Sequence, residues 1–248
     1  MDVGLATTLA LTGVALVAGC VDAIAGGGGL LTLPALLTAG VPAPLALGTN
    51  KGQSVFGSST ATLRFARAGR LRWRRSLPSF AVGFVGSLTG AALVSQIDAA
   101  ALRPLIIALL CVAATLVLLP RPAAIRTPRR PLAIAIGLAA VIGAYDGFFG
   151  PGTGTLLIVG YMWLLGEPAD DASANAKVVN FASNLAAVAW FGGHGAILWS
   201  LSLPMAAGQF VGASIGAHVV LTRGSGVVRF AAVAVALAMV AKLTFGLL

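Results

Sequence analysis

Ten apolar segments separated by short breaks occupy most of the chain, near 4–21, 29–40, 45–66, 77–96, 99–119, 132–145, 153–166, 172–191, 200–221 and 226–247. No other feature constrains the fold as strongly. Several run close to 20 residues, the length an α-helix needs to cross roughly 30 Å of hydrocarbon. Continuous apolar runs, rather than ten-residue alternating ones, point to helices and not to barrel strands. Only 9% of the residues are charged and 58% are hydrophobic, where a soluble domain carries roughly 25% charge. The mean hydropathy is +0.97. Such a chain has too little polar surface to cover a water-soluble core, which excludes a soluble enzyme or a nucleic-acid-binding module. The expected fold class is an all-α polytopic, multi-pass membrane protein.

The net charge of +9 does not indicate nucleic acid. The cations concentrate beside apolar segments, in the loop with Arg64, Arg67, Arg70, Arg72, Arg74 and Arg75 and in the linker with Arg121, Arg126, Arg129 and Arg130. That is where the positive-inside rule places them, so both stretches are expected to be cytoplasmic. Cys20 and Cys111 lie in separate apolar stretches with no CxxC and no Cys/His cluster, so neither a disulfide framework nor a metal site is expected. The Met1-Asp2-Val3-Gly4 start lacks the positive region of a signal peptide, and residues 4–20 read as a first membrane helix.

The chain repeats itself. Asp22-Ala-Ile-Ala-Gly26-Gly-Gly-Gly29 recurs as Asp146-Gly-Phe-Phe-Gly150-Pro-Gly-Thr153. Further on the match holds at an offset of 126: Lys51 with Lys177, Gly69 with Gly195, Ser76-Leu77-Pro78 with Ser202-Leu203-Pro204, Gly90 with Gly216, and Arg103 with Arg229. The expected organisation is repeat 1 over 1–120, a cytoplasmic linker over 121–130, and repeat 2 over 131–248. Each repeat is expected to hold a glycine-interrupted pair of short helices plus three long transmembrane helices. The counterpart of the Arg loop, 192–199, carries only His194 and is expected outside, which makes the repeats inverted, although a simple eight-span count would make them parallel. The glycine-linked pair then contributes no crossing, as a re-entrant hairpin, or two.

Three paired features carry the candidate chemistry. The glycine breaks expose helix N-termini inside the membrane, where free N–H groups and the helix dipole favour an anion. Gly27, Gly28, Gly29, Gly152 and Thr153 are the candidate backbone contacts, the alternative being that the glycines serve tight helix crossing. Pro151 suits a first helical turn. Asp22 and Asp146, carboxylates at membrane depth, either carry a coupling proton or brace the loop N–H groups. Lys51, Ser54 and Ser58 share one helix face at i, i+3 and i+7, and Lys177, Asn180 and Asn184 repeat that spacing. Asn50 and Asn175 add amides near the lysines. An ammonium with hydroxyl and amide donors suits a small oxyanion; the alternative is a lysine that snorkels at its helix start. Gly86-x-x-x-Gly90 and Gly208-x-x-x-Gly212-x-x-x-Gly216 read as close-packing strips. His218 reads as a satisfied interior residue. Glu167, Asp170 and Asp171 read as solvated surface. No nucleophile–base pair is visible, so no catalytic role and no cofactor is expected.

The opening from Gly19 to Pro34, followed by Ala46-Leu-Gly48-Thr-Asn50-Lys51, resembles the sulfite exporter (TauE/SafE) family of membrane permeases. Asp146-Gly-Phe-Phe-Gly-Pro-Gly-Thr-Gly154 and the run from Asn175 to Asn184 are similar to that family's second repeat. The resemblance implies an anion permease of a bacterial or archaeal inner membrane that moves sulfite, sulfoacetate or related organosulfonates, usually outward. The expected partners are the small oxyanion and the lipid bilayer, and not nucleic acid. The site residues are expected to converge near the midplane and to work by alternating access. A small-anion channel, a permease for a cation or another substrate, and a membrane subunit of a larger complex stand as alternatives.

Overall fold

The computed structural model describes residues 4–118 and 130–228. The linker 121–129, Arg229, the side chains of Arg103 and Cys111, and the last apolar segment beyond residue 228 lie outside the description. Every regular element among the described residues is a helix, with no strand. They form α1 (Leu5–Ala25), α2 (Gly29–Thr38), α3 (Ala43–Arg67), α4 (Trp73–Val94) and α5 (Ala99–Leu118), then α6 (Pro131–Phe148), α7 (Thr153–Leu165), α8 (Ala169–Gly193) and α9 (Trp199–Arg223). Proline marks several starts, at Pro44 in the first turn of α3, at the beginning of α6 and at the residue before α8, positions where a missing N–H is harmless.

The glycine-linked pairs are unequal rather than both short. α1 has 21 residues and α6 has 18, whereas α2 and α7 have 10 and 13. Hydropathy falls at Asp22 and Asp146, yet both helices continue past them because each carboxylate is matched by a lysine of the other half. Among the described residues, four helices are long and apolar enough to cross a membrane: α1, α4, α6 and α9. They carry exposed apolar side chains such as Leu77, Val85, Val141 and Phe210. The two most polar long helices, α3 and α8, lie inside them with Ala46–Gln53 and Ala172–Asn180 buried.

Helix directions follow from which backbones meet. A Cβ added at Gly208, Gly212 or Gly216 would lie 2.4, 1.9 or 2.4 Å from the carbonyl oxygen of Thr12, Leu16 or Cys20, so α9 runs parallel to α1 at backbone contact. Gly86 and Gly90 meet the carbonyls of Ala140 and Ala144 in the same way, so α4 runs parallel to α6. The small-residue strips are therefore helix-packing surfaces, with Cα–H groups set against carbonyl oxygens. Gly52 meets Ser202 and Gly57 meets Gln209, placing α3 parallel to α9. Gly83 meets Val179, and Ser87 Oγ donates to Ser183 O at 2.7 Å, placing α4 parallel to α8. α3 and α8 are antiparallel: Thr62 Oγ1 donates to Lys177 O (3.0 Å), and Leu198 N–H donates to Thr49 Oγ1 (3.0 Å) at the other end. Three helices, α1, α3 and α9, thus run one way and three, α4, α6 and α8, the other. Since α1 and α3 are parallel, α2 returns the chain to the end where α1 began.

Two apolar clusters cap the assembly. One gathers the C-terminal half of α3 and the N-terminal half of α8 with α7; the other gathers the opposite halves with α2. The polar residues of α3 and α8 lie between them. One end also carries an ionic cluster, and there the acidic loop is not simply solvated surface. Arg75 pairs with Glu167, Arg70 with Asp170 and Asp171, and Arg72 with Glu167 at 3.4 Å. Glu167 is only 5% exposed, with Arg72 of the neighbouring loop and Arg75 of the first turn of α4 turned onto its carboxylate.

Candidate functional site

The two glycine breaks meet at the centre. Gly26 and Gly27 adopt φ of +69° and +111°, and Gly150 and Gly152 adopt +99° and +86°. Only glycine takes such values without strain. Gly26 closes α1 with its N–H on Asp22 O, 2.9 Å away. Its backbone packs directly on Gly154, where a Cβ would come within 2.1 Å. Any larger residue at that contact would force the breaks apart.

Each break is tied to the lysine helix of the other half. Lys177 Nζ donates to Asp22 Oδ2 at 2.8 Å, and Lys51 Nζ donates to Asp146 Oδ1 at 2.6 Å. Lys51 and Lys177 are almost wholly buried. Asp22 Oδ1 also accepts the N–H groups of Gly27 (3.1 Å) and Gly28 (3.2 Å), so it braces its own loop. Asp146 accepts instead from side chains: Thr153 Oγ1 at 2.9 Å, Ser183 Oγ, and Asn180 Nδ2 at 3.4 Å. A buried carboxylate needs this much compensation. If all four groups are ionised, the cluster of two ammoniums and two carboxylates is neutral.

A small cavity of about 20 Å³ opens between the breaks and the polar faces of α3 and α8. On the break side it is lined by Asp22, Gly27, Gly28, Gly29, Asp146, Gly152 and Thr153. On the helix side it is lined by Asn50, Lys51, Ser54, Asn180 and Asn184. Most of the residues expected at the site are thus brought together around one space. Three expected residues are not on it. Lys177 stands behind it, with its ammonium on Asp22. Ser58 sits one turn further along α3 and accepts from Asn184 Nδ2 at 3.3 Å. Asn175 is a correction: its amide faces the Arg loop, accepting Arg72 N–H at 3.0 Å and donating to Asp171 O at 2.9 Å. Two residues before Lys177 is about 200° around a helix, which turns Asn175 to the opposite face. Its counterpart at the 126 offset is Thr49, which holds Leu198 N–H in the same manner, and not Asn50.

Gly150 and Gly154 of the second break also line the cavity; sequence reasoning missed Gln209 on its wall, and Thr32, Gln53 and Ser183 just behind it. Gln209 had a usable signal, a lone amide in an otherwise apolar small-residue strip. Gln53 had none beyond its place between Lys51 and Ser54.

Comparisons with known proteins bear on this arrangement. The family profile "Sulfite exporter TauE/SafE" matches residues 11–243. A "Probable membrane transporter protein" of Haemophilus influenzae is 38% identical, over 99% of this chain and 97% of its own. The "Probable membrane transporter protein YfcA" of Escherichia coli K12 is 38% identical, over 94% and 87%. "Probable membrane transporter protein ORF9" of a Sinorhizobium species is 37% identical, over 92% and 89%. No solved structure matches the chain. With a profile match over nearly its whole length and transporters as its relatives, this multi-pass membrane protein belongs to the sulfite exporter TauE/SafE family of membrane transporters.

Proposed function

We propose that the protein carries a small sulfur oxyanion, of the sulfite or organosulfonate class, across a bacterial or archaeal inner membrane by alternating access around the central cavity. The observation that carries this reading is the crossed ion pairing: Lys51 with Asp146 and Lys177 with Asp22, each joining the lysine helix of one half to the glycine break of the other. An anion arriving in the cavity competes with a carboxylate for its ammonium. Loosening one pair frees the break that the carboxylate braces, so occupancy and movement are linked through the same atoms. An excess anion is best tolerated when one carboxylate is protonated or drawn aside, which gives Asp22 and Asp146 a coupling as well as a bracing role. A cavity of about 20 Å³ holds little more than one water-sized body. A sulfur oxyanion therefore requires the breaks to part, as alternating access demands. The halves, 1–120 and 131–248, act as inverted repeats: α3 and α8 run antiparallel, and each broken hairpin packs on the other half.

The test is a binding panel of sulfite, sulfoacetate, sulfate and thiosulfate on purified protein, followed by flux in proteoliposomes. Lys51→Ala and Lys177→Ala are expected to abolish flux of whichever anion binds, with monodispersity as the check on folding. Unchanged flux in both variants sinks the reading. Conductance that does not saturate with concentration replaces the transporter by a channel.

A further inference from the structure

The two sides of the cavity differ chemically although the halves repeat. Behind and along the α3 side stand Thr32, Asn50, Gln53 and Ser54, whose counterparts in the second half are Leu156, Ala176, Val179 and Asn180. Three hydrogen-bonding side chains on one side are thus apolar on the other. The extra groups are connected. Gln53 Nε2 donates to Asn50 Oδ1 and to Ser54 Oγ, both at 3.0 Å, and Thr32 Oγ1 donates to the same Asn50 Oδ1 at 2.5 Å. Thr32 and Gln53 are fully buried behind the cavity wall, whereas Asn50 and Ser54 line it.

This wiring fixes what the wall offers. With its oxygen taken twice, Asn50 turns its amide nitrogen toward Gly29, another lining residue; a Cβ there would lie 3.6 Å from Nδ2. Ser54 accepts from Gln53 and keeps its own hydroxyl hydrogen to donate. Gln53 Oε1 is buried without a partner. That costs free energy, and the two donations from Nε2 are what offset it. The carboxylate acceptors nearby are already engaged. Asp146 is held by Lys51, Thr153, Ser183 and Asn180, and Asp22 by Lys177 and the N–H groups of Gly27 and Gly28.

We propose that Gln53, supported by Thr32, is a positioning residue that makes this wall of the cavity donor-only, so that the site takes fully deprotonated oxyanions and rejects anions of similar size that carry an O–H. The proposal rests on the anion-site reading above. An O–H turned toward this wall meets donors instead of acceptors and stays unpaired, while the donor it displaces also loses its partner.

The probes are sulfate and hydrogen phosphate, tetrahedral anions of like size that differ in carrying an O–H at neutral pH. Equilibrium binding of each to the full purified chain is measured at one pH, and the ratio is the readout. Unaltered protein should bind sulfate at least about tenfold more tightly. Thr32→Val with Gln53→Met keeps the side-chain shapes, removes both donors to Asn50 and should collapse the ratio to within about threefold while both anions still bind. A purely structural role would weaken both anions alike and leave the ratio intact. A wild-type ratio near one, or in favour of phosphate, overturns the proposal without any variant, as does an unchanged ratio in the double variant. If unaltered protein binds none of the oxyanions in the wider panel, the anion-site reading fails and takes this proposal with it; if anions bind without discrimination, only this proposal fails.

Discussion

Lys51 and Asp146 are 2% and 1% exposed and meet across 95 positions of sequence. Removing one member of such a pair leaves an uncompensated charge in a low-dielectric interior, at a cost of about 3–5 kcal/mol. Asp146→Ala should therefore lower the thermal midpoint of the detergent-solubilised protein sharply, whereas Lys51→Met combined with Asp146→Asn should recover most of the loss. Equal melting of Asp146→Ala and the unaltered chain would mean that Lys51 finds other compensation. The sequence showed both residues, because an ionisable group amid apolar segments stands out. It did not show the pairing, because separations of 95 and 155 residues carry no periodicity to read. Nor did it show the faces reliably. Helical spacing places Lys51, Ser54 and Ser58 on one face, whereas Asn175 is near Lys177 in sequence alone, where two residues is half a turn too many.

At the scale of elements, helix existence was legible throughout the described residues and helix ends were not. The apolar runs stop at Asp22 and Asp146, while α1 and α6 continue to Ala25 and Phe148, since partners invisible in the local sequence neutralise the carboxylates. The small-residue strips announced close packing, but not that α9 would lie on α1 and α4 on α6, each across the repeat boundary. That packing is testable by contrast. A Cβ at Gly90 would lie 2.0 Å from Ala144 O, whereas one at Gly137 meets nothing within 4 Å. Gly90→Ala should destabilise by about 1–3 kcal/mol through overpacking. Gly137→Ala should be neutral or stabilise by up to about 1 kcal/mol through helix propensity. Thermal melting of the two variants side by side decides it, and a Gly90→Ala protein as stable as Gly137→Ala would place α4 and α6 farther apart than described.

At the scale of the whole molecule, the antiparallel α3 and α8 put Gly69 and Gly195 at opposite ends. Single cysteines at these positions, in a chain with Cys20 and Cys111 replaced by alanine, should react with an impermeant thiol reagent from opposite faces of the membrane. Labelling from the same face would rule out inverted halves. The ionic cluster of Arg70, Arg72 and Arg75 with Glu167, Asp170 and Asp171 exists at the Gly69 end alone among the described residues. At the 126 offset Arg70, Arg72 and Arg75 correspond to Ala196, Leu198 and Leu201. The two ends of the described helices are thereby built from different materials, one ionic and one apolar.

The crossed pairing also sets a schedule for biogenesis. Asp22 is synthesised 155 residues before Lys177, and Lys51 is synthesised 95 residues before Asp146. At about 5–20 residues per second, an aspartate and a lysine of the first half wait on the order of 5–30 s for their partners. During that interval the half-made protein carries an aspartate and a lysine without their final partners, and ionisable groups are costly at membrane depth. The second half thus completes the first chemically as well as structurally, and a chain stopped between residues 120 and 145 would present the cell with the charge signature of an unfinished membrane protein.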